Sequence, residues 1–159
     1  WFCPIAKPQN VHVFRLTNRL DIKVKSTEDL KKYRMGSVRD DAIFAQLQGL
    51  GLKVGEHIVI SANNMVNLKT LLKGRVDLVI SVDSTFEYML MSLGGADQIR
   101  KVAYQEWLPV RSYMVLSKES PFNEKMPEFY QALRKLQADG SLQTILSRYG
   151  IESLSDADF

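Results

Sequence analysis

The chain has almost none of the residues that would mark a metalloprotein or a disulfide-stapled domain. One cysteine, Cys3, stands among 159 residues. It excludes an internal disulfide and a zinc site built on cysteine pairs. The two histidines, His12 and His57, lie far apart and show no helical ligand spacing. No metal or cofactor is therefore expected. No apolar run approaches the roughly 20 residues that a membrane-spanning helix needs. Charge is also scarce in one sense: 21 Lys and Arg against 18 Asp and Glu leave only +3. The basic residues are scattered, without a stripe or interleaved aromatics, so nucleic acid is not an expected partner. The chain opens on Trp1-Phe2-Cys3-Pro4 without Met. The expectation is that an upstream segment, export signal included, has been removed.

What is present is a regular alternation. Hydrophobic residues make up 45% and charged residues 25% of the chain, a globular balance. VHVFRL at 11–16 reads as a strand. Ser26 and Asp29 then open a short helix that runs to about residue 33. RMGSV at 34–38 is a second strand, and Asp40 and Asp41 begin a helix carrying Ile43, Phe44 and Leu47, stopped by Gly49 and Gly51. HIVIS at 57–61 and DLVIS at 77–81 repeat the pattern. The first precedes a helix capped by Asn63 or Asn64; the second precedes a helix with a Ser84–Glu87 capping box. Strand, helix, strand, helix with short loops predicts a parallel α/β sheet. Residues 101–106 and 111–117 read as strands. Two closing helices carry Met126, Phe129, Leu133 and Leu136, then Leu142, Ile145, Leu146 and Tyr149, with Ser141 as cap of the second.

Four phrases in order, KSTEDLKKYRMGSVRDD (25–41), NLKTLLKGRVDLVI (67–80), RSYMVLSKESP (111–121) and FYQALRKLQADGSLQTILSRYG (129–150), resemble the type 2 periplasmic solute-binding proteins of amino-acid ABC importers, extracellular family 3. The resemblance covers nearly all of the chain up to Gly150. It implies a two-lobed α/β clamp lacking the N-terminal part of lobe one. Residues 18–109 would form lobe two, and 1–17 with 110–159 the rest of lobe one. It further implies a periplasmic protein that closes over a small polar solute, an amino acid or amine, and presents it to a membrane permease. Relatives serve as sensor modules, and a few have become dehydratases. No acid–base pair is aligned by spacing in this sequence and Cys3 has no local histidine, so binding rather than catalysis is expected.

The expected ligand residues lie where strands end and helices begin, because helix N-termini offer free N–H groups and partial positive charge. Relatives often carry Gly-Thr or Gly-Ser after the second strand, whereas this chain carries Arg39-Asp40-Asp41. Arg39 either supplies a positive charge or pairs with its neighbours. Asp40 and Asp41 either meet a ligand ammonium or cap the helix, which leans the expected ligand towards one with a positive group. Asp83 stands one place beyond Val82, where relatives place an acid for the ligand amino group; its alternative is support for the following helix. Asn64 could reach the cleft or cap. Trp1 and Phe2, like Trp107, offer an aromatic wall or simple packing, and Tyr113 reads as core. Asp77 reads as structural. The uncovered leucines of the closing helices raise a further expectation, association into a homodimer.

Overall fold

The apolar run Leu78–Val82 (LVISV) has four consecutive buried residues. Such a run is a strand covered on both faces, since successive side chains point to opposite sides. It is the middle of a five-stranded sheet. The computed structural model describes residues 2–104 and 110–154. In chain order the strands are β1 (Phe2–Pro4), β2 (Val11–Leu16), β3 (Met35–Val38), β4 (Ile58–Ser61), β5 (Leu78–Val82), β6 (Ile99–Tyr104) and β7 (Tyr113–Val115). The helices are α1 (Ala42–Gly49), α2 (Asn64–Leu72), α3 (Asp83–Leu93), α4 (Met126–Ala138) and α5 (Ser141–Ser147).

The chain divides into two compact units, Asn10–Leu108 and the pair of segments Trp1–Gln9 and Pro109–Phe159. The inner unit holds the sheet, in the order β4-β3-β5-β2-β6. Strands β3, β4 and β5 run parallel. β2 runs antiparallel to both β5 and β6, so the sheet is mixed and not parallel throughout. β2 lies inside this sheet, bonded on both sides. The compact unit therefore begins at Asn10, and the strand that sequence placed among the flanking residues belongs to it.

One face of the sheet is sealed by α2 and α3. Phe14, Leu68, Leu71, Val76, Val79, Phe86, Met89, Leu90 and Ile99 form a single apolar cluster there. Phe14 of β2 stacks on Phe86 of α3, with ring centroids 3.9 Å apart, which fixes α3 over the sheet. Leu78 and Ile80, whose side chains leave β5 on the opposite side from Val79, are buried too. The helix expected after Ser26 is a 3-10 helix, Thr27–Lys32.

In the outer unit β1 pairs antiparallel with β7, and α4 packs against α5. Met126, Leu142 and Leu154 are buried, whereas Phe129, Leu136, Ile145 and Tyr149 stay between 41% and 48% exposed. Tyr113, read in the sequence as core, is 42% exposed, on a strand that pairs with β1 alone among the described residues. Ser141 does not cap α5: Gly140 does, at φ 78°, and the Ser141 N–H donates to Asp139.

Candidate functional site

Three parallel neighbouring strands finish on one edge of the inner sheet. Val38 of β3 lies beside Ser61 of β4, and β5 runs alongside β3 on the other flank. Each then turns into a helix, so the N-termini of α1, α2 and α3 gather on that edge. From β3 the chain moves outward to β4 and then returns to β5 on the opposite side of β3. In doubly wound sheets such a reversal of strand order is where ligands bind.

Arg39, Asp40 and Asp41 form the β3–α1 turn. Asp41 is the cap: its carboxylate accepts from the Ile43 N–H at 2.9 Å. Asp40 adopts φ 60°, the left-handed region, alone among the described non-glycine residues. Asp tolerates that conformation better than most side chains. Arg39 and Asp40 are both exposed. After β4, Asn63 is the cap, accepting from the Val66 N–H at 2.9 Å, which leaves Asn64 as an exposed first residue of α2. Behind them Asn67 is buried, with the Ser61 hydroxyl donating to its amide oxygen at 3.3 Å.

Asp83 behaves differently. One carboxylate oxygen takes the His12 Nδ1 hydrogen bond at 2.7 Å, and the other accepts from Lys101 Nζ at 2.9 Å. Its own N–H donates to the Asn10 carbonyl at 3.1 Å. Burial acts against the Lys101 charge, but Asp83 and then Glu87 outweigh it and hold the ammonium above its usual pKa. The Ser84–Glu87 capping box is not formed. α3 starts two residues early, with extended Val82 at its cap, and Glu87 reaches across to Lys101 at 3.3 Å. Val82 provides no side-chain acceptor, so of these three helices α3 alone begins without a side-chain cap. Sequence spacing gave no hint of this cluster, because its members come from β2, α3 and β6. The cross-strand register His12↔Ser81 and His12↔Tyr104 is what unites them.

Trp1 and Trp107 lie outside the described residues. Among the described residues two grooves on the inner unit stand out. One, of about 570 Å³, runs beside β4 and α2 between Arg34, Val66 and Arg75. The other, of about 340 Å³, lies between α3 and β6 near Met91 and Lys101. Neither is lined by Arg39, Asp40, Asp41, Asn64 or Asp83. Among the described residues no three His, Cys, Asp or Glu side chains gather as metal ligands would.

No family model matches the chain, and no curated protein does. Solved structures do match. One comes from work on glutathione import in Gram-positive bacteria through a cystine ABC importer of Streptococcus mutans. It is 16% identical, with a TM-score of 0.79 over 99% of this chain and 66% of the other. A histidine kinase sensor domain similar to periplasmic binding proteins is 18% identical, with a TM-score of 0.78 over 96% and 64%. The arginine-, lysine-, histidine-binding protein ArtJ of Geobacillus stearothermophilus is 18% identical, with a TM-score of 0.73 over 94% and 62%. The chain has the type 2 periplasmic-binding-protein fold. It spans less than two thirds of the length of these structures. At the carboxyl edge of the inner sheet Arg39, Asp40 and Asn64 are exposed.

Proposed function

We propose that the chain is part of an extracytoplasmic clamp that binds a small polar, amino-acid-like solute and hands it to an ABC-type membrane importer. The two compact units correspond in this reading to one complete lobe and to part of the other. The observation that carries it is the carboxyl edge of β3, β4 and β5, with three helix N-termini and with Arg39, Asp40 and Asn64 exposed just beyond the strand ends. The fold of importer-associated binding proteins, matched over nearly the whole chain, supports it. Arg39 meets a ligand carboxylate, Asp40 a ligand ammonium and Asn64 a neutral polar group. Asp41 contributes through the cap that shapes the turn, and Asp83 is already hydrogen-bonded to His12 and Lys101. A ligand touching both lobes favours the closed state by its differential affinity.

Native mass spectrometry with the twenty amino acids, cystine, glutathione and polyamines tests the reading. A bound small mass is expected, and Arg39→Ala should weaken its retention about tenfold or more, as loss of a charge-assisted hydrogen bond does. A bare mass with every mixture counts against the clamp. The match to a kinase sensor domain favours a second reading, ligand sensing for a signalling receptor. The same ligand assay would be positive there. Copurification with a permease separates the two.

A further inference from the structure

The groove beside β4 and α2 lies on the outer flank of the inner sheet, where β4 is the end strand and pairs with β3 alone among the described strands. The His57 carbonyl accepts from the Met35 N–H, so it faces β3. Successive residues of a strand turn their backbone groups to opposite sides. Ile58 accordingly faces outward, where its N–H donates to the Lys53 carbonyl at 3.0 Å and its carbonyl accepts from the Gly55 N–H at 2.9 Å. Ile60 faces the same way two residues on, and no backbone group of the described residues bonds it there. The chain thus closes its own edge at Ile58 and leaves one donor and one acceptor open at Ile60. An open edge position of this kind is a template for another extended chain.

Side chains of two kinds wall the groove. Val59 and Val66 give it an apolar stretch, and Thr70 follows Val66 one turn along α2, on the same face. Val66 is 41% exposed. Arg34 and Arg75 close one end. The entry of β5 brings them together: the Arg34 carbonyl accepts from the Asp77 and Leu78 N–H groups, and the Arg75 N–H donates to the Thr70 carbonyl. Both arginine side chains are exposed and, among the described residues, neither joins an ion pair and no acidic residue lines the groove. Lys69 in the last turn of α2 and Lys73 at its C-terminal cap, both exposed, add charge of the same sign. Arg34 precedes β3, so this basic end lies at the amino ends of the strands, opposite the edge that bears Arg39, Asp40 and Asn64.

We propose that this groove docks a short extended peptide segment of a partner protein, with acidic residues at the end that meets Arg34 and Arg75. The segment adds to the sheet beside Ile60, its apolar side chains cover Val59 and Val66, and its carboxylates take the two guanidinium groups, which suit carboxylates by their forked donors. A small anion would engage the arginines alone. It would leave the apolar stretch and the open edge position unused, and most of the roughly 570 Å³ unfilled. The docking site is separate from the candidate solute site and does not depend on the clamp reading.

The test uses the full chain and fluorescein-labelled peptides of alternating Thr and Val that end in a pair of Glu or a pair of Lys, read by fluorescence anisotropy. The Glu-ended peptide should bind about tenfold more tightly than the Lys-ended one, and the double variant Arg34→Gln, Arg75→Gln should lose about the same factor. Amide NMR shifts on binding should gather in 59–62 and 66–75. Two further versions of the Glu-ended peptide carry N-methyl groups on its odd or on its even residues. An added strand bonds through alternate residues, so one version should bind and the other should not. Because the protein is unaltered in that comparison, misfolding cannot imitate the result. Equal binding of Glu-ended and Lys-ended peptides overturns the proposal, as does equal binding of both N-methylated versions. Absence of binding by the Glu-ended peptide at about 1 mM also overturns it. So does pyrophosphate that binds the groove as tightly as the peptide, which would make it a small-anion site.

Discussion

Gly36 shows how little room a single position can have. A Cβ built there would collide with the amide oxygen of Asn67, which is buried and bonded to Ser61. Alanine at 36 should therefore push α2 off β3 and cost about 1–3 kcal/mol, the usual range for overpacking; the urea midpoint would report it. Asp29 is an electrostatic counterpart. The Lys32 ammonium at 2.6 Å, and then the Lys25 N–H, lower its pKa from 3.8 to about 2. A depressed folded pKa means that Asp29 stabilises the fold above its ordinary value and that this contribution fades as pH falls towards 2. A carboxyl NMR titration should find that midpoint near 2, and Lys32→Met should return it towards 3.8. Asp77 was legible from the sequence as a structural acid. Its carboxylate takes Arg19 at 2.6 Å and the Arg34 N–H at 3.0 Å, joining the turn before β3 to the entry of β5. Asp83 was not legible, because its partners come from β2 and β6, and their approach depends on a strand order that no local pattern encodes.

At the scale of elements the caps carry the turns that shape the candidate site. Asp41→Ala and Asn63→Ala each remove one acceptor from a helix start, and each should cost about 1 kcal/mol. Thermal denaturation would show whether the losses add, as they should for separate helices. The strands were readable to within a residue or two where apolar runs are short and bounded: Val11–Leu16 is VHVFRL itself, and β5 differs from DLVIS by one position. Direction was not readable. Alternation of strands and helices argues for parallel pairing, and that holds from β3 to β5, where a helix fills each crossover. It does not hold for β2, whose sheet neighbours are β5 and β6 rather than the strand that follows it. The site was half legible for the same reason. Residues beside a helix start announce themselves by spacing, as Asp41 and Asn63 do. Residues opposed across strands do not.

For the molecule as a whole, the continuity of Asn10–Leu108 makes a prediction. Among the described residues, its sheet and its apolar cluster draw on none outside that span. The excised segment should unfold cooperatively by itself, with a single calorimetric transition. A gradual, non-cooperative melt would show that it relies on the flanking segments. The outer unit is assembled from two separated stretches and leaves several large apolar side chains of α4 and α5 half exposed, so it should not fold when expressed as 109–159 alone. Chain order adds a temporal side to the position of β2 between β5 and β6. During synthesis the VHVFRL strand emerges early and has no sheet partner until β5 has been translated, well over half of the inner unit later. For that interval an apolar strand with both edges open is exposed to chaperones and to other nascent chains. Translation speed through 17–82 thus becomes a determinant of yield.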